Sequence, residues 1–216
     1  MHILIFANGD ILDGPMVLRA LDSSHNPTII AADGGARIAK HYDLPVHIVV
    51  GDMDSLTSSE LDTLAQEGAE FQHHPPEKDY TDLELALYHA CKLGADWVRI
   101  IGAIGGRFDQ TMANVYLLAL PIIADCDVRM VAGKQEIYIL RPGTHQIAGA
   151  PGDTISLIPL GGIVAGIYTQ DLYSPLKDET LEFGPARGVS NVLTNDTASI
   201  TTKTGTLLII HTVGRA

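Results

Sequence analysis

The sequence contains few of the features that mark several classes of protein. Its two cysteines, Cys91 and Cys126, are too few for a disulfide framework or a four-cysteine zinc site. No apolar run approaches the ~18 residues of a membrane-spanning helix. The N-terminal segment MHILIFANGD lacks basic residues and reaches Asp10 too early for a signal peptide. These absences predict a soluble, cytoplasmic protein.

Basic residues are also scarce. The chain has 14 Lys and Arg residues against 26 Asp and Glu residues, which gives a formal net charge of -12. Nucleic acids and anionic membranes attract basic surfaces, so we expect neither as a partner. A small polyphosphate remains compatible with this charge, because a divalent cation can bridge carboxylates to phosphate oxygens. Hydrophobic residues make up 46% of the chain, enough for a folded core.

The pattern of apolar residues changes near residue 133 and predicts two domains, 1–133 and 134–216. In the first, apolar runs alternate with helical patterns, which predicts an α/β domain with a doubly wound, mostly parallel sheet. Its expected strands are 3–7, 28–32, 46–50, 69–73, 98–103 and 128–132, and its clearest helices are 82–93 and 109–119. In the second, β-rich runs separated by turn residues predict a smaller all-β, sandwich-like domain.

Glycines and polar residues follow five of the predicted strands at the point where each strand leads into the next segment. In open α/β sheets, ligands bind beyond the carboxyl ends of the strands. Five such segments at one edge favour a ligand site over five unrelated turns. They are residues 8–10, 33–35, 51–55, 78–82 and 102–110.

The segment 51–55 contains the clearest pair of carboxylates, Asp52 and Asp54. Residues i and i+2 of an extended segment project to the same side, so both carboxylates could bind one hard cation such as Mg²⁺. The alternative is a turn in which one of them caps the helix near Ser58, whose own hydroxyl is another expected cap.

Asp79 and Asp82 lie on either side of the start of the next predicted helix. Acidic residues there also complement the helix dipole, so their position alone does not establish a site. Of the two, Asp82 is the expected metal ligand, and Lys78 beside them could bind a phosphate.

The segment 102–110 has the composition of an anion-binding loop. Gly105 and Gly106 allow a ligand to approach the backbone, and a helix starting near Asp109 would offer free N–H groups. Arg107 adds planar donors that suit phosphate oxygens. The Walker pattern GxxxxGK[ST] is absent from the sequence, and a simple turn is the alternative.

In this order, the motifs resemble those of the thiamine pyrophosphokinase family, and the resemblance extends over nearly the whole chain. It implies transfer of a pyrophosphoryl group from ATP to thiamine, giving thiamine diphosphate and AMP. It also implies Mg²⁺ as cofactor, and a homodimer with active sites between subunits. Domain 1–133 would then bind ATP and Mg²⁺ and domain 134–216 would bind thiamine. The motifs are ADGGA at 32–36, GDMDS at 51–55, KDYTDLELAL at 78–87, GAIGGRFDQTMAN at 102–114 and GVSN at 188–191.

The resemblance and the strand-end pattern together assign residues to roles. Asp52, Asp54 and Asp82 are the expected Mg²⁺ ligands, and Asp79 and Arg107 join them as catalytic residues. Thiamine would contact Ser190, Asn191 and Tyr173, the last at the place where animal and fungal relatives carry a stacking Trp. The residues expected to bind the nucleotide are Asn8, Gly9, Asp33, Gly34, Lys78, Gly105, Gly106, Asp109 and Gln110.

Two other functions would use the same acidic segments. A metal-dependent phosphohydrolase would cleave phosphate esters with water, and a non-catalytic nucleotide-binding regulator would bind without turnover. Formation of AMP that depends on thiamine distinguishes the predicted transferase from both.

Overall fold

The computed structural model describes residues 1–75, 77 and 79–215, so the predicted site residue Lys78 lies outside the described residues. The chain divides into two compact units, Met1–Gly133 and Lys134–Ala216. Among the described residues, we find no helix with the length and apolar composition needed to cross a bilayer.

The first unit is built on a parallel sheet, with its strands in the order β6-β5-β1-β2-β3-β4. Strands and helices alternate along the chain, which confirms the predicted α/β class. The strands are β1 (His2–Phe6), β2 (Thr28–Ala32), β3 (Ile48–Gly51), β4 (Glu70–His73), β5 (Trp97–Ile101) and β6 (Asp127–Ala132). The helices are α1 (Pro15–Ser23), α2 (Ala36–His41), α3 (Ser58–Gln66), α4 (Asp82–Lys92) and α5 (Phe108–Leu117).

The central strand explains the continuous apolar runs in the sequence. In β1, the side chains of Ile3, Leu4, Ile5 and Phe6 are fully buried, so both faces of the sheet are covered. A strand buried on both faces cannot alternate polar and apolar residues. The apolar runs therefore predicted the strands of this sheet well.

The second unit contains two antiparallel sheets, ordered β12-β9-β14-β7 and β11-β10-β13-β8. Leu157 and Ile209 of the first sheet share one buried cluster with Ile167 and Ile200 of the second. This arrangement confirms the predicted all-β class. The strands are β7 (Gln135–Leu140), β8 (Gly143–Ala148), β9 (Thr154–Pro159), β10 (Val164–Gln170), β11 (Lys177–Leu181), β12 (Asn191–Val192), β13 (Thr197–Thr202) and β14 (Leu207–Thr212).

One segment of the second unit has the polar composition of a loop but forms part of a strand. The polar run that begins at Tyr168 reads as a loop, but residues 168–170 belong to β10 and pair with β13. Ile167 and Thr169 are buried while Tyr168 and Gln170 are exposed, which is the alternation of a strand with one solvated face. Polar residues on the solvated face concealed this alternation.

The C-terminal end of the second unit is held by Asp153, which is only 3% exposed. One of its carboxylate oxygens accepts the Gly214 N–H at 2.7 Å, and the other contacts His211 Nε2 at 2.8 Å and the Ala150 N–H at 3.0 Å. Burial acts to raise the pKa of Asp153, but these hydrogen bonds outweigh it and lower the pKa below its ordinary value. The ionised form is therefore the one that the fold stabilises.

Candidate active site

A cleft of about 640 Å³ opens in the first unit beyond the carboxyl ends of its strands. Two of its walls are the segments that follow β1 and β5. β1 and β5 are neighbours in the sheet, but the chain continues from β1 to β2 on one side and from β5 to β6 on the other. In α/β sheets, ligands bind at the position where the connections diverge in this way. The volume is typical of small-molecule sites, which span about 300–1,000 Å³.

The segments after β1 and β5 are joined along their backbones. Gly9 N–H donates to Gly102 O and Asp10 N–H to Ile104 O, each at 2.8 Å. A Cβ on Gly9 would lie 2.4 Å from Gly102 O, so a side chain at this position would force the two segments apart. The close approach explains why glycine follows the first strand.

Three carboxylates meet in the cleft: Asp33, Asp52 and Asp82. One oxygen from each lies within 4.8 Å of the others. They converge because β2 and β3 pair in parallel with Ala32 beside Val50, and Asp33 and Asp52 directly follow the ends of these neighbouring strands. Asp82 is the first residue of α4. Clustered carboxylate oxygens are the ligands that Mg²⁺ prefers, so this donor set fits the cofactor that the sequence predicts.

Asp54 lines the same cleft but is not one of these three clustered carboxylates. Met53 has a φ of 61°, which breaks the extended conformation between the two acidic residues. The Asp54 N–H instead donates to Asp52 Oδ1 at 3.3 Å, and the Asp54 side chain is exposed at the edge of the cleft. Its role as a Mg²⁺ ligand stays a prediction.

The segment that carries Asp52 and Asp54 is held in place by the ion pair between Arg37 and Glu60. Arg37 donates to Ser55 O at 2.7 Å and binds both carboxylate oxygens of Glu60. Glu60 also accepts from Thr57 N–H at 2.8 Å, and Thr57 Oγ1 accepts in return, which completes a capping box at the start of α3. Hydrogen bonds from Arg37 and Thr57 lower the pKa of Glu60 to about 2.

This arrangement replaces the cap expected for α3. The N-cap is Thr57, and the Ser58 hydroxyl, Asp52 and Asp54 are not needed for that role. The carboxylates of the cleft are therefore free of a capping function at this helix.

The glycine segment after β5 is held by two side chains of α5. The amide of Asn114, which is 8% exposed, donates to Ala103 O at 2.7 Å. Thr111 Oγ1 accepts the Gly105 N–H at 3.3 Å. Both residues line the cleft, and the sequence analysis did not single out either. Both lie within the motif GAIGGRFDQTMAN at 102–114, about one and two helical turns into α5, and that motif was the available signal.

Arg107 forms an exposed ion pair with Asp109. Its guanidinium donates to Asp109 Oδ2 at 2.6 Å and to Oδ1 at 3.3 Å. Hydrogen bonding across the pair raises the pKa of Arg107 and lowers that of Asp109. Exposed ion pairs contribute little to stability, so an anion in the cleft could take over the donors of Arg107 at small cost.

The cleft gathers most of the predicted residues of the first unit. Among the described residues, three predicted ones are outside its lining: Gly34, Asp79 and Asp109. Gly34 packs against Asn8, and a Cβ on Gly34 would lie 2.6 Å from the Asn8 side-chain amide. The predicted residues that line the cleft are Asn8, Gly9, Asp33, Asp52, Asp54, Asp82, Gly105, Gly106, Arg107 and Gln110. Polar residues of the lining that were not predicted include Asp10, Ser55, Tyr80, Thr111 and Asn114.

The residues predicted to bind thiamine are neighbours within the second unit. The Tyr173 N–H donates to Val192 O at 2.9 Å, and Asn191 Oδ1 accepts the Ser174 N–H at 3.0 Å. Ser190 has a φ of 61° and donates its N–H to Ser156 Oγ. The Tyr173 side chain is 79% exposed, so its ring is accessible to a ligand.

The parallel sheet and the cleft of glycines and carboxylates define an α/β protein with a polar ligand site, and comparison with known proteins identifies its family. The family model of the thiamin pyrophosphokinase catalytic domain matches residues 21–130. The model of the thiamin pyrophosphokinase vitamin B1 binding domain matches residues 144–207. The chain belongs to the thiamine pyrophosphokinase family, as its motifs predicted.

Individual relatives agree with this assignment. The chain is 27% identical over 162 residues to thiamine pyrophosphokinase of Bacillus subtilis, covering 74% of this chain and 76% of the relative. It is 25% identical over 185 residues to thiamine pyrophosphokinase 1 of Oryza sativa, and that match covers 81% of this chain and 69% of the relative. The crystal structure of the Bacillus subtilis protein has the same fold, with a TM-score of 0.87, 24% identity and 99% of each chain covered. The crystal structure of thiamin pyrophosphokinase from Geobacillus thermodenitrificans is also similar, with a TM-score of 0.83 and 25% identity. The match covers 98% of this chain and 97% of that protein.

Proposed function

We propose that this protein transfers the pyrophosphoryl group of ATP to the hydroxyethyl group of thiamine, giving thiamine diphosphate and AMP. The observation that carries the proposal is that both domain models of the thiamine pyrophosphokinase family match, in order, along this one chain. Neither alternative, a phosphohydrolase or a binding regulator, receives support from the relatives.

In the proposed reaction, the thiamine hydroxyl oxygen attacks the β-phosphorus of ATP. The bond from the β-phosphorus to the oxygen that bridges the α- and β-phosphates breaks, and AMP leaves. The hydroxyl proton passes to a carboxylate of the cleft. Phosphoryl transfer depends mainly on positioning and charge stabilisation, so the groups that hold the phosphates matter most.

The described residues of the cleft can meet these requirements. Arg107 and the glycine segment at 105–106 would orient the phosphates, and hydrogen bonds from Asn114 to Ala103 O and from Gly105 N–H to Thr111 Oγ1 hold that segment in place. Mg²⁺ held among the acidic residues would supply positive charge to the phosphate oxygens. The ligands predicted from the sequence are Asp52, Asp54 and Asp82, with Asp79 as a further catalytic residue.

Thiamine would be held by Tyr173, Ser190 and Asn191 of the second unit. A homodimer with active sites between subunits and a cytoplasmic location complete the proposal. Both come from the sequence and its family resemblance.

The proposal is tested by measuring AMP release from Mg-ATP by the purified protein, with and without thiamine. We expect AMP and thiamine diphosphate in equal amounts, and no AMP above background without thiamine. Free phosphate released without thiamine would instead identify a phosphohydrolase. Nucleotide binding with no turnover under either condition would identify a regulator.

A further inference from the structure

Tyr80 lines the cleft, and the roles assigned above leave it without a use. It lies directly before Thr81, the N-cap of α4, and it remains 49% exposed. Among the described residues of the lining, it is the only one with an aromatic ring. The rest of the lining is mainly small or polar, so Tyr80 supplies a flat, largely apolar surface on which a planar group can stack.

The ring of Tyr80 is held by a second tyrosine. Tyr88, about two turns into α4, meets it edge-to-face, with ring centroids 5.8 Å apart and 83° between the ring planes. Aromatic pairs prefer this arrangement, which stabilises them beyond the apolar area that they bury. An edge-to-face contact covers at most one face of the Tyr80 ring, so a ligand in the cleft has access to the other.

Tyr80 is also close to the groups expected to hold the phosphates. Asp82, one of the three clustered carboxylates, is two residues further along the chain, and two residues span at most about 7 Å between Cα atoms. The base of a nucleoside triphosphate lies one ribose beyond the phosphates. With the phosphates in the cleft, the base is therefore within reach of the Tyr80 ring.

We propose that Tyr80 binds the base of the donor nucleotide by stacking on it, while Tyr88 keeps the Tyr80 ring in position. The inference rests on the proposed function for the identity of that donor, ATP. Stacking uses only the flat face of a base, which every base has, so Tyr80 contributes affinity without selecting one base over another. Thiamine also has flat rings, but Tyr80 belongs to the unit that carries the expected phosphate-binding segments.

The experiment measures binding to the full-length protein by calorimetry, at saturating Mg²⁺ and without thiamine. Two ligands are compared: ATP, and inorganic tripolyphosphate, which has three phosphates but no base. Tyr80→Ala removes the ring, and Tyr80→Trp replaces it by a larger one. Tyr116→Ala is the matched control, because Tyr116 is a similarly exposed tyrosine, 55% exposed, on α5 and outside the lining of the cleft.

We expect Tyr80→Ala to bind ATP about tenfold more weakly than wild type, or ~1.4 kcal/mol, which is within the range of base–aromatic stacking. Its affinity for tripolyphosphate should stay within about threefold of wild type, because that ligand has no base to lose. Tyr80→Trp should bind ATP at least as tightly as wild type to within about threefold, since it keeps a stacking surface. Tyr116→Ala should match wild type for both ligands.

Three results would overturn the inference. One is an affinity of Tyr80→Ala for ATP within about threefold of wild type, when stacking should contribute about a factor of ten. Another is an equal loss for ATP and tripolyphosphate, which would indicate a distorted start of α4. The third, in a separate titration with thiamine alone, is a loss confined to thiamine, which would assign the ring to that substrate. AMP release is scored separately, so a protein that binds ATP as expected but releases no AMP with thiamine would contradict the proposed function alone.

Discussion

Replacing Gly51 by alanine tests whether the carboxylate group is the centre of the reaction. Gly51 has a φ of 142°, and a Cβ there would lie 2.8 Å from Asp82 Oδ1 and 2.9 Å from its Cγ. Ordinary contact begins at 3.4 Å, so the Asp82 carboxylate must move by about 0.6 Å. Catalytic groups tolerate about 0.5 Å of displacement, and 1 Å can cost on the order of 100-fold in rate. We therefore expect turnover to fall by about tenfold or more.

The positive φ at position 51 would by itself destabilise an alanine variant, and Gly143→Ala measures the size of that destabilisation. Gly143 has the same φ of 142°, but among the described residues the atom that a Cβ there would approach most closely is His145 Nε2, at 3.5 Å. Both variants should lose about 1–3 kcal/mol of stability from strain, or roughly 2–4 °C in Tm for each kcal/mol at this chain length.

Only Gly51→Ala should lose turnover, measured as AMP release at saturating ATP, Mg²⁺ and thiamine. The opposite outcome is a Gly51→Ala variant that folds and keeps its turnover within about twofold of that of Gly143→Ala. In that case, moving the Asp82 carboxylate beyond the ~0.5 Å that catalytic groups tolerate does not slow the reaction. The reasoning that places the chemistry at this carboxylate group would then be wrong.

Three further predictions address the second wall of the cleft, the second unit and the thiamine residues. Asn114→Ala removes the hydrogen bond to Ala103 O and should raise the KM for ATP severalfold, with a stability loss of about 1–3 kcal/mol, in steady-state kinetics and thermal melts. Asp153→Asn places an amide nitrogen against a backbone N–H in either orientation and should cost about 1–3 kcal/mol at pH 7. Because the folded pKa of Asp153 is lowered, its contribution is present above its unfolded pKa of about 3.9 and is lost as the pH falls through the folded value. The Tm difference between wild type and variant should therefore shrink in melts below about pH 4, and a constant difference would contradict the assigned ionisation. Tyr173→Ala should weaken thiamine binding about tenfold, or ~1.4 kcal/mol, while Tyr173→Trp retains it and affinity for ATP is unchanged; equal loss for both substrates in calorimetry would indicate a folding defect instead.

Features that depend on neighbouring residues in the chain were predictable from the sequence. Continuous apolar runs predicted the parallel strands because those strands are buried on both faces, and periodic apolar residues predicted α4. The structure confirms α4 in detail: the Thr81 side chain accepts the Glu84 N–H, and Gly94 follows the helix with a φ of 82°. Strand β10 escaped recognition because its solvated face carries polar residues.

The sequence by itself determined the family, the α/β and all-β classes, and the segments that form the cleft. These follow from local patterns and from motifs whose order along the chain is specific. Which carboxylates meet was decided only by the tertiary structure. Asp33 and Asp52 are 19 positions apart in the sequence, yet parallel pairing of Ala32 with Val50 brings them together. Asp52 and Asp54 are two positions apart, yet only Asp52 joins the group, and the positive φ of Met53 interrupts the extended backbone between them. Distance along the chain does not determine distance in space when strand order and a single backbone angle intervene.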